Sequence, residues 1–287
     1  MIAGDLSGTI ASGLSHCLAV VNGRVVAWGD DDFGQLAVPN GLTDVVSVAA
    51  GHRHSLALTK NGTVTAWGFS LNGAVNVPVG LSDVVDIAAG GDTSAAILRD
   101  GRALIWGEFA SGSSQEMRSP DGPVISVGVG DIHLAVLDAA GDMDMMAFGL
   151  SPSYEPVAPP ANRSGITAIS VAAGHCLALR RDGTVTAWGR NDYGQCEVPP
   201  GLANPSAISA GAATSLALTS DGRVISWGVT IDDDYKDPFP ADLRDVVAIA
   251  AGSQCLALRR DGTLIAWGER RRPDPAVLSV SRADQVH

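Results

Sequence analysis

Hydrophobic and polar positions along the chain follow one arrangement that returns about every 40 residues. It is clearest in the segment VVSVAAGHRHSLALTKNGTVTAWG, which runs from Val45 to Gly68. Within it, Val45–Ala50 and Ser55–Thr59 are short runs of small and β-branched residues, and Thr63–Trp67 alternates with a period of two. Runs of this length and composition are typical of β-strands, so the segment predicts three strands.

Seven copies of this segment fill nearly the whole chain. Each copy ends in Trp-Gly or Phe-Gly, with the aromatic residue at positions 28, 67, 106, 148, 188, 227 and 267. An Asn-Gly or Asp-Gly pair separates the second and third strands in six copies, which predicts type I′ hairpins. Three short strands cannot bury both faces of their sheet alone, so the copies must stack.

The sequence therefore predicts an all-β fold: a seven-bladed β-propeller with about three antiparallel strands per blade, as a single domain over residues 1–287. A solenoid is the alternative, but neither end of the chain carries a polar capping repeat. Ring closure is left open, because a strand at Leu6–Ser12 or one at Ala276–Val280 could supply the closing edge.

Composition narrows the classes of partner. Hydrophobic residues make up 46% of the chain, and 19 basic against 31 acidic residues give a net charge of −12. Nucleic acids and anionic membranes bind positively charged surfaces, so neither is expected as a partner. The N-terminal segment lacks the basic start and apolar core of a secretory signal, and four cysteines are too few for a disulfide scaffold. A reduced, cytoplasmic protein is expected.

The repeat resembles that of the regulator of chromosome condensation family. The resemblance rests on AWGRNDYGQCEVPPGL at Ala187–Leu202 together with the Val45–Gly68 segment, and it covers the chain from Ile10 to Gly268. Repeats of about 40 residues look more like the short bacterial form, which includes a β-lactamase-inhibiting propeller, than the longer eukaryotic one. The resemblance implies a seven-bladed propeller that binds another protein.

Recurrent polar residues are interpreted as structural. His16, His54, His133 and His175 share one repeat position, which suggests a clasp at the start of the second strand. Cysteine and serine alternate at the next position, which indicates a small buried group, and the recurring tryptophans are expected between blades. Motifs for nucleophilic, phosphate-binding or zinc-dependent catalysis are missing from the sequence, so we expect no catalytic residue, no cofactor and no metal site.

The candidate binding face is the end of the propeller that carries the turns between first and second strands. These turns vary between copies, with apparent shortening at Gly174–Leu177 and Gly252–Leu256, whereas the turns at the other end repeat. The predicted protein-binding residues are Arg53, Asp92, Asp131, Ile132, Asp232, Asp233 and Asp234. The turns lack the aromatic residues that the inhibitor-like propeller presents there, which argues against β-lactamase inhibition.

The leading functional hypothesis is a non-enzymatic protein-binding module, and the acidic surface would suit a partner with a basic surface. Two alternatives remain open. One is a propeller hydrolase or lyase acting at the channel mouth, which would need convergent carboxylates or a His–Asp pair. The other is guanine-nucleotide exchange on a small GTPase, although no wedge-like insertion interrupts the repeats.

Overall fold

The computed structural model of the chain describes residues 9–108, 114–117, 122–131, 133–147, 159–228, 239–240 and 243–268. Regular structure in these ranges consists of β-strands, which form seven antiparallel sheets in chain order. No helix within these ranges could cross a membrane.

Each sheet is one blade, built from consecutive strands. The blades are β1 (Ile10–Ser12), β2 (His16–Val21) and β3 (Arg24–Gly29); β4 (Val45–Ala50), β5 (His54–Thr59) and β6 (Val64–Gly68); β7 (Val84–Gly90), β8 (Thr93–Leu98), β9 (Ala103–Gly107) and an added outer strand, β10 (Ser114–Met117); β11 (Val124–Val129), β12 (His133–Asp138) and β13 (Met143–Ala147); β14 (Ile166–Val171), β15 (His175–Arg180) and β16 (Val185–Gly189); β17 (Pro205–Ala210), β18 (Thr214–Thr219) and β19 (Val224–Gly228); and β20 (Val246–Ala251), β21 (Cys255–Arg259) and β22 (Leu264–Trp267).

The first strand of every blade lies innermost, because its C-terminal end borders a cavity shared by all seven blades. Six of these inner strands carry a register shift at their second residue, such as between Val45 and Ser47. The chain then runs outward through the second and third strands. The seven-bladed propeller predicted from the repeat is confirmed.

Hydrophobic packing is concentrated between neighbouring blades, in seven separate clusters. The joint of the first and second blades, for example, contains Leu18 and Val20 from one side and Val48, Ala57 and Trp67 from the other. All six tryptophans lie in clusters of this kind, as the sequence predicted. A thin three-stranded sheet cannot bury both of its faces alone, so the apolar surface removed from water at each joint stabilises the blades.

The hairpin turns between second and third strands depart from the prediction in most blades. Only the first blade has both Asn22 and Gly23 at positive φ, 49° and 73°, as a type I′ turn requires. The later blades carry one more residue here, so that Gly62 alone is left-handed and its N–H closes a turn on the Thr59 carbonyl at 2.9 Å. The extra residue converts the hairpin to a type I turn followed by a glycine bulge.

The ring is closed by contact between complete blades. The first blade takes its inner strand, Ile10–Ser12, from the N-terminal side, and residues 6–8 of the predicted strand Leu6–Ser12 lie outside the described residues. The Ser253 N–H of the seventh blade donates to the Gly13 carbonyl of the first at 3.1 Å, and Ile10 packs in the same cluster as Leu256. The other predicted closing strand, Ala276–Val280, lies outside the described residues.

Candidate functional site

The first turns and the long connections between blades start at the same end of the propeller. Each connection leaves the third strand beside a first turn: the N–H groups of Asp30 and Phe69 donate to the carbonyls of Ser15 and Arg53, both at 2.9 Å. We call this end the first-turn face. It comprises the first turns of all blades and the connection residues 30–35, 69–74, 108 and 190–195.

Beneath this face, a repeated hydrogen-bond unit ties neighbouring blades together. His16 Nε2 lies 2.9 Å from Ser55 Oγ, Ser55 Oγ donates to the Gln35 carbonyl at 2.9 Å, and Trp67 Nε1 donates to the same carbonyl at 2.8 Å. The pairs His54–Ser94 and His175–Ser215 repeat the arrangement. We call this unit the clasp. It confirms the structural interpretation of the recurrent histidine, serine and tryptophan.

The clasp also fixes the protonation state of its histidines. Because Ser55 gives its only proton to a carbonyl, it must accept from His16 Nε2–H, which leaves Nδ1 without a proton. Nδ1 of His16, His54 and His175 is buried and has no partner. Burial lowers the pKa of these three residues, and of His133, to about 4. All four are therefore neutral at pH 7.

The clasp changes where the ring closes. Gln254 replaces histidine in the seventh blade, and its Oε1 accepts from Trp28 Nε1 at 3.1 Å and from Cys17 Sγ at 3.5 Å. The Gln254 side-chain oxygen thus takes the place of the connection carbonyl, which elsewhere accepts from the serine and the tryptophan, while Cys17 occupies the serine position. In the fourth blade Leu134 stands at the serine position, and neither ring nitrogen of His133 has a partner.

A histidine–aspartate pair lies at the mouth of the central channel. His52 Nε2 is 2.8 Å from Asp131 Oδ1, so the pair joins the second and fourth blades across the third. Gly91 of the third blade permits this, because a Cβ there would lie 3.2 Å from the Asp131 Cα. The hydrogen bond to Asp131 raises the pKa of His52, and the negative charges of Asp131 and Asp92 add to the effect.

The cavity below the pair is small. It has a volume of about 90 Å³ and is lined by the first turns of all seven blades. Glycine is required at several lining positions: a Cβ at Gly13 would collide with the Gly51 carbonyl, and one at Gly130 with the Ala172 carbonyl. The backbones of neighbouring first turns pack so closely that the channel has no room for an extended ligand.

An exposed aromatic pair lies on the first-turn face near this mouth. The rings of Phe33 and Phe69 stack with their centroids 5.8 Å apart, and the Arg53 guanidinium lies 4.6 Å from the Phe33 centroid. Phe33 remains 41% exposed and Phe69 40%, and the neighbouring connection residue Leu71 is 74% exposed. Aromatic and arginine side chains that fold into a layer yet stay open to solvent are typical of protein-binding surfaces.

The structure brings together part of the predicted site. Arg53, Asp92 and Asp131 all lie in first turns of consecutive blades, partly buried. Asp92 is close enough to His52 to affect its charge, and Asp92 Oδ1 is buried without a partner. The remaining predicted residues, Ile132, Asp232, Asp233 and Asp234, lie outside the described residues.

One feature of the predicted rim is wrong. The turn predicted to be shortened at Gly174–Leu177 lies instead at Ala172–Gly174 and has the same three-residue length as Gly51–Arg53, because Val171 pairs with Cys176 as Ala50 pairs with Ser55. The small residues of this turn resemble those that end the preceding strand, so the turn looks shorter in the sequence than it is in the structure. The turn of the seventh blade is shorter by one residue, as expected, since Ala251 pairs with Cys255.

Sequence reasoning missed Phe33, Phe69 and His52. The sequence predicted binding residues in the first turns, whereas the aromatic side chains of this face lie on the connections. A signal was present: Phe33 stands in DDFGQ where Tyr193 stands in NDYGQ, and Phe69 directly follows a third strand. The His52–Asp131 pair had no sequence signal, because the two residues are 79 positions apart and meet only through ring geometry.

Aspartates of the first connection have separate roles. Asp31 Oδ1 accepts from the Leu36 N–H at 2.8 Å, and Asn191 Oδ1 accepts from the Cys196 N–H at 2.8 Å, so the two side chains cap equivalent turns. Asp32 stays exposed beside them.

Within the described ranges, His, Cys, Asp and Glu side chains form no group of three or more that could hold a metal ion.

A known repeat family matches the repeat of this chain. The sequence profile of the regulator of chromosome condensation (RCC1) repeat matches residues 45–74, 84–113, 166–195 and 206–233, each match covering most of one blade and its connection. The chain therefore carries repeats of the regulator of chromosome condensation family in these four places. RCC1-like propellers are often protein-interaction modules. A comparison with curated protein sequences gives no match.

Solved structures show the same fold at low sequence identity. Yeast RCC1 (Prp20), solved with Kap60 bound, is 20% identical over 80% of this chain and 71% of its own, with a TM-score of 0.64. A second structure, of Prp20p from Saccharomyces cerevisiae, is described with its binding to Gsp1p and histones. It has the same identity and TM-score, and the match covers 80% of this chain and 73% of its own. The CRINKLY WD40 ectodomain of the Arabidopsis thaliana receptor kinase ACR4 is 16% identical over 91% of this chain and 95% of its own, with a TM-score of 0.72.

Proposed function

We propose that this RCC1-repeat propeller is a non-enzymatic protein-binding module that docks its partner on the first-turn face. The observation that carries the proposal is the exposed Phe33–Phe69 stack with Arg53 lying against it. Prp20, solved with Kap60 bound and described with its binding to Gsp1p and histones, shares only the fold with this chain, so it supports the class of function and not the partner.

The fold does not require these aromatic residues. The repeat position of Phe33 holds Asn72 in the second blade, and the position of Phe69 holds Asp30 in the first and Arg190 in the fifth. Polar residues therefore serve the same backbone positions, and two half-exposed phenylalanines add no packing that the blade needs. Exposed apolar rings on a connection are explained better by contact with a partner than by stability.

The test begins with capture of a partner from the native host, identification by mass spectrometry and measurement of its affinity. Replacing Phe33 and Phe69 together by serine should weaken binding by about 1–4 kcal/mol, the usual range for truncated hot-spot residues. The melting temperature should change by little, because the removed ring surface is already half exposed.

A matched control uses the opposite end. Val46 and Val85 are exposed to a similar extent, 44% and 46%, at the start of inner strands. Replacing both by serine should leave the affinity within twofold. Equal loss from both pairs, or loss from the valines alone, would show that the first-turn face is not the docking surface.

The enzyme alternative now has a specific residue pair to test. His52 and Asp131 provide the His–Asp pair that a catalytic site at the channel mouth would need. Against it, the cavity of about 90 Å³ is far below the roughly 300–1,000 Å³ of typical small-molecule sites. A turnover with any hydrolase or lyase substrate that disappears in Asp131→Asn would support the alternative; nucleotide release from a small GTPase would support exchange activity.

A further inference from the structure

Charge is distributed unequally between the two ends of the propeller. Within the described residues, the first-turn face carries seven acidic side chains against two arginines, Arg53 and Arg190, and one histidine, His52. The acidic residues are Asp30, Asp31, Asp32, Asp92, Glu108, Asp131 and Asp192. At the other end, the second turns carry seven basic residues (Arg24, Lys60, Arg99, Arg102, Arg181, Arg223 and Arg260) against five acidic ones (Asp100, Asp142, Asp182, Asp221 and Asp261). The connections add Asp44, Asp83 and Asp245 there, so acidic and basic residues are nearly balanced at this end.

Several carboxylates of the first-turn face are already engaged within the chain. Asp31 caps its own connection, Asp131 pairs with His52, and Asp192 pairs with Arg190. Asp32 and Glu108 are exposed, and one oxygen of Asp92 is buried without a hydrogen bond. A surface that keeps such groups near an apolar stack gains most from a partner that supplies positive charge.

The stack itself accepts a guanidinium. Arg53 lies 4.6 Å from the Phe33 centroid, within the distance at which a cation is attracted by the face of a ring. This contact within the chain shows the geometry that an arginine of a partner could repeat on the exposed part of Phe69. Aromatic faces and carboxylates together favour a cation over a neutral apolar group, which would leave the carboxylates desolvated and unpaired.

We propose that the partner docks through a cationic segment, whose arginine or lysine side chains lie against the Phe33–Phe69 stack and pair with Asp32 and Asp92. This inference rests on the proposed function and specifies the chemistry of the partner. The excess of carboxylates on the same face would also speed association with a basic segment at low salt.

The test uses two synthetic peptides of equal length and apolar content, (Gly-Arg-Leu)₅ and (Gly-Glu-Leu)₅, with binding followed by fluorescence anisotropy at low salt. The arginine peptide should bind at least tenfold more tightly than the glutamate peptide. The Asp32→Asn, Asp92→Asn variant should weaken binding of the arginine peptide at least fivefold. Phe33→Ser with Phe69→Ser should weaken it by a similar factor.

The control removes the same charge from the other end, by Asp221→Asn with Asp261→Asn, and should change the affinity less than twofold. If both pairs of asparagine variants weaken binding equally, the peptide senses only net charge and the inference is overturned. It is also overturned if the two peptides bind alike.

Failure of this inference can be separated from failure of the proposed function. A captured partner that loses affinity with Phe33→Ser and Phe69→Ser, but not with Asp32→Asn and Asp92→Asn or with added salt, would retain the docking face and exclude the cationic segment. A partner insensitive to both pairs would remove the docking face as well.

Discussion

Acid should destabilise this propeller through the histidines of the clasp. Each clasp histidine is neutral in the fold, with a pKa of about 4 for His16, His54 and His175. In the unfolded chain the pKa returns to about 6.5, so below that pH the unfolded state binds more protons and stability falls. Between pH 7.5 and pH 5, linkage gives a loss of about 2 kcal/mol for each histidine.

Three such residues together would remove about 6 kcal/mol, comparable with the whole stability of many domains. The perturbation that isolates one of them is His54→Gln, since glutamine already occupies this position at Gln254. The variant should be less stable than the wild type at pH 7.5, by about 1 kcal/mol for a lost hydrogen bond. It should then lose about 2 kcal/mol less than the wild type on acidification to pH 5.

Urea unfolding followed by tryptophan fluorescence at several pH values measures both quantities. Carboxylates titrate in both proteins and cancel in the comparison. His52→Gln is the control with opposite sign: Asp131 raises the pKa of His52, so its contribution is complete below pH 6.5 and is lost as pH rises through the folded value. Parallel acid curves for His54→Gln and wild type would refute the buried, neutral clasp.

Three further outcomes are expected. Trp106→Ala should lower the free energy of unfolding by about 3–5 kcal/mol, as measured in a thermal or urea melt. Trp188→Ala should lower it less, because Trp188 is partly exposed and its Nε1 has no hydrogen-bond partner. Equal losses in the two variants would contradict the role of the clasp. A thiol reagent should modify Cys196 first in the native protein and all four cysteines after denaturation, because burial raises the pKa of Cys176 and Cys255 more than that of Cys196, at about 11, and Cys17 is buried; fewer than four thiols would argue against a reduced compartment. Asp131→Asn should lower stability at pH 6 by no more than about 1 kcal/mol and have no effect at pH 9, as urea unfolding at the two values would show.

The repeat made most of the fold predictable. A Trp-Gly or Phe-Gly pair about every 40 residues predicted the number of blades, and the strand boundaries of β4 to β6 agree with the pattern to within one residue. The shared position of His16 and His54 predicted a clasp, because equivalent positions in a ring face equivalent neighbours. Each of these inferences depends on contacts that recur in every blade.

The departures from the prediction occur where the repeat is interrupted. An extra residue changed the hairpin at Thr59–Gly62, and small residues disguised the turn at Ala172–Gly174. Phe33 and Phe69 lie on different connections and stack only after the first two blades pack together. Their pairing depends on the curvature of the ring, which a one-dimensional pattern does not contain.

Hydrogen–deuterium exchange of the propeller with and without its captured partner tests the docking face most directly. The account predicts slower exchange in the partner complex at residues 51–53 and 69–74, which form the first-turn face around Phe69. The second turns at residues 60–63 and 220–223 should exchange at the same rate in both samples. Protection of those second turns with no change at the first-turn face would contradict the central claim.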